Sequence, residues 1–241
     1  MAYKTILNKN IKMKRIVVLT GAGISAESGI STFRDNNGLW KKYMFEELAS
    51  PDAWARNPEL VLEFYNMRRK QLFEVEPNTA HYALVELEKK FDVRIITQNV
   101  DDLHERAGSK NVMHLHGELK KARSTVDPNL VYELDHWELK IGDKCEKGSQ
   151  LRPHIVWFGE AVPMIGPAAE IASTADIFIV VGTSMVVYPA AGLIGYAKYD
   201  ISKYYIDPKA SHVGGISNLK VIEKKACEGV PKLVRLLMKE E

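Results

Sequence analysis

The sequence predicts an α/β fold in which a parallel sheet carries helices on both faces. Five mostly apolar runs each stop abruptly at glycine or polar residues, and they cover residues 15–20, 93–97, 112–115, 177–181 and 204–206. Apolar residues follow one another in these runs instead of alternating with polar ones, which is typical of strands buried on both faces. Helix-like stretches separate the strands, at residues 58–75, 79–90, 166–174, 189–198 and 230–239. Strands and helices that alternate along a chain favour a doubly wound sheet.

Two intervals interrupt this alternation and predict a small second lobe made from two insertions. Residues 36–77 are helical and rich in aromatic residues, whereas residues 119–152 are polar and contain several turn signals. The main domain is then assembled from residues 1–35, 78–118 and 153–241.

The composition limits the classes of function. The chain has 241 residues, and its 33 Lys and Arg against 31 Asp and Glu leave a formal charge of +2, which gives no broad positive surface for nucleic acid. Cys145 and Cys227 cannot form a disulfide framework, and residues 1–14 contain no apolar stretch of signal-peptide length, so we expect a cytoplasmic protein. Residues 177–197 are uncharged, but a Gly-Thr-Ser turn and a proline interrupt them, which favours a strand, a turn and a helix over a membrane span.

A glycine-rich turn follows the first predicted strand. Gly21, Gly23 and Ala26 fit the G-x-G-x-x-A fingerprint, in which glycines let a pyrophosphate approach the backbone at the start of a helix. A plain tight turn between a strand and a helix would have the same pattern. Dehydrogenases place an acidic residue after a second strand, about 20 positions on. A polar loop, residues 31–38, stands here instead, so the turn predicts dinucleotide binding without hydride transfer.

A histidine lies at the end of the third predicted strand. His116 precedes Gly117 at the edge where parallel sheets bind ligands. Imidazole titrates near neutral pH and is a natural general base there, although a hydrogen-bonded structural histidine would give the same pattern. His114 shares the face of the strand but lies further from the edge, and we expect His104 to brace the loop that follows the second strand.

Five segments together resemble the sirtuin family in order and spacing along nearly the whole chain: Gly21-Ala22-Gly23-Ile24-Ser25, Phe33-Arg34, Gln98-Asn99-Val100-Asp101, His116-Gly117 and Gly182-Thr183-Ser184. The resemblance implies a Rossmann-like NAD-binding domain with a small lobe, and the removal of acyl groups from protein lysines. In this family NAD is consumed, because the acyl oxygen attacks the ribose carbon as nicotinamide leaves, and the other products are free lysine and O-acyl-ADP-ribose. His116 matches the base that activates a ribose hydroxyl.

The resemblance also implies which residues contact NAD and the substrate peptide. The cofactor residues are Gly21, Ala22, Gly23, Ile24, Ser25, Phe33, Arg34, Trp40, Gln98, Asn99, Asp101, Gly182, Thr183, Ser184 and Ala226. The segment that pairs with a peptide as an added strand contributes Val156, Phe158, Gly159 and Glu160. Such pairing uses main-chain hydrogen bonds, so it largely ignores the side chains of the peptide.

Tyr65 and Arg68 stand three residues apart on a predicted helix and therefore share a face. On general grounds they are a half-buried tyrosine beside a solvated arginine, on a charged face with Arg69 and Lys70. A Tyr-x-x-Arg at this place, however, resembles the class III sirtuin pattern, in which the pair captures a carboxylate on the acyl group. The planar guanidinium suits this role because it binds carboxylates through two parallel hydrogen bonds. We therefore expect activity on succinyl- or malonyl-lysine beside acetyl-lysine.

The chain departs from most of the family where a four-cysteine zinc site would lie. Residues 119–152 contain only Cys145, and Ser124 stands in place of the first cysteine. One thiolate cannot make a closed tetrahedral site, so we predict no zinc. The small lobe is then expected to be stabilised by packing of Leu130, Tyr132, Leu134 and Trp137.

A second departure concerns the adenine ribose. Many relatives have an asparagine near the end of the fifth predicted strand, where this chain has Tyr205, Ile206 and Asp207, and Asp207 could accept hydrogen bonds from the ribose hydroxyls.

The preferred prediction is an NAD-consuming deacylase whose partners are acyl-lysine-bearing proteins or peptides. Mono-ADP-ribosyl transfer uses the same bond cleavage with another acceptor, and a non-catalytic NAD or ADP-ribose binder is a third possibility. The intact set of His116, Asn99 and Asp101 argues against the third.

Overall fold

The computed structural model describes residues 13–31, 48–210 and 215–239 of the chain. Six strands form its central sheet: β1 (Arg15–Thr20), β2 (Asp92–Thr97), β3 (Val112–His114), β7 (Ile177–Val181), β8 (Ser202–Ile206) and β9 (Leu219–Ile222). Their order across the sheet is β3-β2-β1-β7-β8-β9, and every neighbouring pair is parallel. The carboxyl ends of all six strands therefore lie at one edge, and the predicted parallel sheet is confirmed.

Helices cover both faces of the central sheet. They are α1 (Pro51–Arg56), α2 (Pro58–Glu74), α3 (Thr79–Leu87), α4 (Leu103–Ala107), α5 (Ile165–Ser173), α6 (Ala226–Lys239) and a 3-10 helix (Ala190–Tyr196). Ile16 of β1 packs in one buried cluster with Leu84 of α3, whereas its neighbour Val17 packs in another with Ala172 of α5. Successive side chains of a strand point to opposite faces, so both faces of β1 are buried and its unbroken apolar run is explained.

An antiparallel sheet of three strands forms the centre of the small lobe. The strands are β4 (Gly117–Ser124), β5 (Val131–Glu133) and β6 (Leu151–Ile155), in the order β5-β4-β6. Leu62 of α2 packs against Ala122 and Leu151 of this sheet. The interval expected to be irregular thus contains strands, and the small sheet extends beyond both limits predicted for the second insertion.

One of the four residues predicted to stabilise the small lobe lies outside its buried cluster. Leu134 is buried in the cluster of the small sheet, with Leu130 and Tyr132 packed against it. Trp137, in contrast, is 40% exposed, and the Lys70 ammonium lies 5.5 Å from its ring centroid. The prediction for Trp137 is wrong because a large apolar side chain does not always face the core, and a folded surface keeps many apolar atoms exposed.

Arg69 corrects the prediction of a uniformly charged face on α2. Its side chain is fully buried, and it donates hydrogen bonds to the backbone carbonyls of Leu119 and Trp137 and to Asn66 Oδ1. Arg69 therefore joins α2 to the small sheet, while Lys70 remains exposed.

Three further elements differ from the sequence prediction. The glycine-rich turn continues into short 3-10 turns at Ala22–Ile24 and Ala26–Ser28, so the α-helix expected there is not formed. The predicted helix over residues 189–198 is also of the 3-10 type, and β9 was not predicted. None of the helices in the described part of the chain combines the length and the apolarity needed to cross a bilayer.

Candidate active site

A cavity of about 820 Å³ lies at the carboxyl edge of the central sheet, beside α2 and the small sheet. Its lining brings together most of the residues predicted from the sequence, namely Gly21, Ala22, Gly23, Tyr65, Arg68, Gln98, Asn99, Asp101, His116, Val156, Phe158, Gly159, Glu160, Gly182, Thr183, Ser184 and Ala226. Ile24 and Ser25 are fully buried behind this lining and do not form part of it. Phe33, Arg34 and Trp40 lie outside the described residues.

Two glycine turns touch each other in the wall of the cavity. The Gly23 amide donates a 2.8 Å hydrogen bond to the carbonyl of Gly182, and a Cβ atom on Gly23 would lie 2.6 Å from the Gly182 Cα. Gly182 itself has φ +62°, in the left-handed region that favours glycine. No side chain therefore covers the backbone here, and a ligand can approach the main chain of both turns.

His116 lies half-buried in the cavity wall with one ring nitrogen already engaged. Its Nδ1 lies 3.0 Å from the carbonyl oxygen of Gln98, which can only accept, so Nδ1 carries the proton. In the neutral ring Nε2 is then unprotonated. Burial lowers the pKa of His116 below the ordinary 6.5, more than the hydrogen bond to Gln98 raises it. The imidazole is thus a neutral proton acceptor at neutral pH.

His114 and His104 have other surroundings. His114 contacts the Asn99 carbonyl at 3.0 Å and Glu105 Oε1 at 2.9 Å, and it does not line the cavity. His104 is fully buried on α4, with Nε2 3.0 Å from Thr20 Oγ1. The structure thus brings only His116 of these three to the cavity, as the sequence predicts.

A buried polar network positions the end of β2. The Asn99 side-chain amide donates to Ser25 Oγ at 3.0 Å, and Ser25 Oγ donates to Asp101 Oδ2 at the same distance. Burial raises the pKa of Asp101, while hydrogen bonds from the Leu103 amide and Ser25 act in the opposite direction. Ser25 therefore acts from behind the wall, by orienting two side chains that face the cavity.

The Gly-Thr-Ser turn is joined to its neighbours by two hydrogen bonds. Gln98 Nε2 donates to Thr183 Oγ1 at 3.1 Å, and the Tyr205 hydroxyl donates to the Thr183 carbonyl at 2.7 Å. Tyr205 is buried beneath the turn, whereas Asp207 lines the cavity. Of the two candidates for the adenine ribose, only Asp207 is therefore in the lining.

Tyr65 and Arg68 share a face of α2 and both line the cavity. Tyr65 is fully buried, and burial raises its pKa to about 12, so the hydroxyl stays protonated. The Trp157 indole Nε1 donates to this hydroxyl oxygen at 3.0 Å, which leaves the hydroxyl proton for another acceptor. The Arg68 guanidinium carbon lies 5.8 Å from the Phe64 ring centroid, and burial lowers its pKa below the usual 12.5. A cation and a hydroxyl donor thus lie in the wall of the same cavity.

The segment that follows β6, residues 156–160, lines the cavity. The Val156 amide donates to the His116 carbonyl at 2.9 Å, and the Trp157 amide donates to the Glu160 carboxylate at 2.8 Å. Arg152 and Arg123 pair with the same carboxylate. Glu160 therefore closes the turn on which Phe158 and Gly159 lie, and Phe158 is 43% exposed.

Several lining residues were missed by sequence reasoning. Glu27, Lys209 and Lys225 line the cavity, as do residues 186–188 directly after the Gly-Thr-Ser turn. Lys209 and Lys225 lie within two residues of Asp207 and Ala226. Their closeness in sequence to predicted site residues could therefore have indicated that they line the cavity. Val186 and Tyr188 are 70% and 75% exposed, and no pattern in the chain separates such residues from a surface loop.

Two hydroxyl groups lie beside Cys145, one of them on Ser124, which stands where the first zinc cysteine was expected. Cys145 Sγ lies 3.4 Å from Ser124 Oγ and 3.2 Å from Ser149 Oγ. Within residues 13–31, 48–210 and 215–239, no three His, Cys, Asp or Glu side chains are arranged to hold a metal ion.

The central sheet and the glycine-walled cavity at its carboxyl edge define a dinucleotide-binding α/β protein. The model of the Sir2 family matches residues 21–189, and the chain belongs to this family. An NAD-dependent protein deacylase of Bacteroides thetaiotaomicron is 55% identical over 231 residues, which cover 94% of this chain and 99% of the relative. One of Helicobacter pylori is also 55% identical, over 93% of this chain and 99% of the relative. A crystal structure of a Sir2 homologue in complex with NAD has a TM-score of 0.86 at 46% identity, covering 94% of this chain and 90% of that one.

Proposed function

We propose that this chain is an NAD-dependent protein-lysine deacylase that removes succinyl or malonyl groups as well as acetyl groups. One observation carries the proposal: His116, the contact between Gly23 and Gly182, and the pair Tyr65 and Arg68 all lie in the wall of one cavity. The proposed base, the proposed contact with the dinucleotide and the proposed carboxylate-binding residues thus face one cavity, in which NAD and the acylated peptide would bind together.

The cavity fits NAD in size and in the character of its walls. About 820 Å³ lies within the usual range of roughly 300–1,000 Å³ for ligand sites. The close approach of Gly23 and Gly182 leaves backbone without side chains for a pyrophosphate, and Asp207 offers a carboxylate in the lining of the same cavity. NAD supplies the ribose carbon that the acyl oxygen attacks, with nicotinamide as the leaving group.

His116 acts as the general base in this proposal. Its unprotonated Nε2 takes a proton from a ribose hydroxyl, and the Gln98 carbonyl holds Nδ1–H in place while it does so. The Asn99 amide and the Asp101 carboxylate orient the nicotinamide end, and Ser25 orients them in turn. One water molecule is consumed when the lysine nitrogen leaves the acyl carbon, and the products are nicotinamide, the free lysine and O-acyl-ADP-ribose.

Tyr65 and Arg68 give the acyl preference. A succinyl or malonyl group ends in a carboxylate, which Arg68 can bind through two parallel hydrogen bonds and Tyr65 through its hydroxyl proton. Tyr65 is fully buried, which strengthens its interaction because little water competes.

The partners in this proposal are acylated proteins, bound as an added strand along Val156, Phe158 and Gly159. The near-balanced charge supports no nucleic-acid partner, and two unpaired cysteines support a cytoplasmic place. The proposal also keeps the zinc-free small lobe and the division into a main domain and two insertions, with the second insertion extended to residues 117–155, the span of the small sheet.

Replacing Arg68 by methionine tests the acyl preference. We expect Arg68→Met to lower kcat/KM for a succinyl-lysine peptide by at least about tenfold, because a hydrogen-bonded charge pair contributes roughly 1.5–3 kcal/mol. Deacetylation of the matched acetyl peptide should fall much less. Lys70→Met on the same helix, which removes an exposed cation, is the control and should change neither rate. Full desuccinylation by Arg68→Met would contradict the proposed role.

A second measurement separates the deacylase from the two alternatives. Nicotinamide release that requires an acylated peptide is expected of a deacylase. An ADP-ribosyl transferase would instead leave ADP-ribose on the acceptor protein, and a non-catalytic binder would release no nicotinamide. Mass spectrometry of acetyl and succinyl peptides with and without NAD gives the answer directly.

A further inference from the structure

We propose that Arg152 positions the Tyr65 hydroxyl through the indole of Trp157, and thereby contributes to the preference for acidic acyl groups. This inference rests on the proposed function, since it concerns the same acyl-binding pair. Arg152 does not line the cavity, so it acts as a positioning residue and not as a substrate contact.

The first link joins Trp157 to Tyr65. The indole Nε1 donates to the Tyr65 hydroxyl oxygen at 3.0 Å, and both side chains are almost fully buried. An indole has a single donor and no acceptor, so this bond can form in one direction only. The direction of the Tyr65 hydroxyl proton therefore depends on where the indole lies.

The second link joins Arg152 to Trp157. The Arg152 guanidinium carbon lies 3.3 Å from the Trp157 ring centroid, well inside the range of about 6 Å for a cation–π contact. Trp54 packs against the same indole, with 5.8 Å between the ring centroids. The indole thus has a guanidinium and an aromatic ring as packing partners, which limits its rotation.

The guanidinium is itself fixed in place. Its Nη1 and Nη2 donate to the Glu160 carboxylate at 2.8 and 3.1 Å, and Nη2 also donates to the Ile155 carbonyl at 3.1 Å. Glu160 in turn accepts from the Trp157 amide. Arg152, Trp157 and Glu160 are thus joined to one another, and the Trp157 indole links them to Tyr65.

Arg123 provides a matched comparison. It pairs with the same Glu160 carboxylate at 3.2 Å, whereas Arg152 also stacks on the Trp157 ring. Loss of either arginine weakens the turn around Glu160. Loss of Arg152 alone also frees the indole, so the two variants separate a general effect on the turn from an effect on Tyr65.

The test measures KM and kcat for matched acetyl and succinyl peptides. We expect Arg152→Met to raise KM for the succinyl peptide about fivefold, the worth of about one hydrogen bond, and to change KM for the acetyl peptide less than about twofold. Arg123→Met should affect the two peptides alike. In a Tyr65→Phe background, Arg152→Met should no longer change the ratio of the two KM values, because the group it positions is gone.

Other outcomes would contradict either this inference or the proposed acyl preference. Equal effects of Arg152→Met on both peptides, or the same shift in ratio in the Tyr65→Phe background, would overturn this inference. If Arg152→Met does not fold, Trp157→Phe keeps an aromatic ring and removes the N–H, and it should shift the ratio in the same direction. An unchanged ratio in Arg68→Met would refute the proposed acyl preference itself, whereas a shift there without one in Arg152→Met would overturn the inference alone.

Discussion

His116 has one ring nitrogen bonded to a backbone carbonyl, and this single contact determines which nitrogen can accept a proton. Because the Gln98 carbonyl fixes the tautomer, the ring does not have to find the reactive form before each turnover. The same contact joins the carboxyl ends of β2 and β3, so the base is held by the backbone of the sheet.

The pH dependence of the reaction follows from this environment. A general base must be unprotonated, and burial lowers the pKa of His116, so we expect activity to persist below pH 6.5. In a plot of kcat/KM against pH, the acidic limb should have its midpoint below 6.5. His114→Gln is the control, because that ring lies outside the cavity, and its midpoint should match the unaltered protein. A midpoint above 6.5 would show that another group governs the limb.

Gly23 and Gly182 make a second prediction for single residues. A methyl group on Gly23 would lie 2.6 Å from a backbone atom that cannot move aside, so Gly23→Ala should lower the free energy of unfolding by about 1–3 kcal/mol and abolish NAD binding. Gly166→Ala is a matched control, since nothing lies within 4 Å of its added methyl group, and it should be neutral or stabilise by up to about 1 kcal/mol. Urea unfolding and NAD titration measure both effects. Equal stability of the two variants would contradict the account of this contact.

At the scale of elements, α2 connects the cavity with the small sheet. Tyr65 and Arg68 face the cavity, while Arg69 turns to the carbonyls of Leu119 and Trp137. Burial lowers the pKa of Arg69 to about 10, so it remains a cation at neutral pH. A buried cation that donates to carbonyl groups places the helix on the sheet with little rotational freedom.

Shortening Arg69 tests this connection. Arg69→Gln should lower the free energy of unfolding by about 1–3 kcal/mol, since it leaves buried carbonyl groups without donors. The neighbouring variant Lys70→Gln removes an exposed cation and should stay within about 0.5 kcal/mol of the unaltered protein. Denaturant unfolding of both variants gives the comparison. A loss confined to Lys70→Gln would reverse the assignment of the two faces.

How far the sequence predicts an element depends on what surrounds it. The strands Arg15–Thr20 and Ile177–Val181 are predicted to the residue, because both faces are buried and each run ends at glycine. The edge strand Leu219–Ile222 has an exposed side, and the small sheet is polar on one face, so neither has the unbroken apolar run that marks a buried strand. Arg69 shows the remaining limit: its burial depends on carbonyl groups 50 and 68 residues away, which no local pattern reports.

The site residues were more predictable than their supports. The resemblance located the strand-end segments that line the cavity, because their order along the chain is itself the pattern. The hydrogen bonds of Ser25, Tyr205 and Arg152 depend on which side chains the fold brings together, and the sequence contains no record of those distances.

At the scale of the whole molecule, two sheets meet at one cavity, and the smaller one has an apolar core of its own. Leu62, Ala122, Leu134, Leu139 and Leu151 are buried there beside Cys145. Side-chain packing, to which Leu62 of α2 contributes, therefore stabilises this lobe.

Chelation tests whether a metal contributes to the stability or the activity of the protein. We expect the melting temperature and the deacylase activity to be unchanged by EDTA, and metal analysis of the purified protein to find far less than one zinc per chain. The control is a relative with the four cysteines, whose structural zinc would be removed or exchanged under harsher chelation. Recovery of about one equivalent of zinc with this chain would overturn the prediction.

The amide of Val156 donates to the carbonyl of His116. The segment proposed to pair with a peptide is therefore hydrogen-bonded at its first residue to the backbone of the general base. Gly23 and Gly182, in contrast, lie in the turns that follow β1 and β7 of the central sheet. His116 is therefore bonded to both halves, to the central sheet through the Gln98 carbonyl and to the proposed peptide strand through its own carbonyl. The register of a docked peptide relative to the base thus depends on backbone atoms, which side-chain substitutions leave in place.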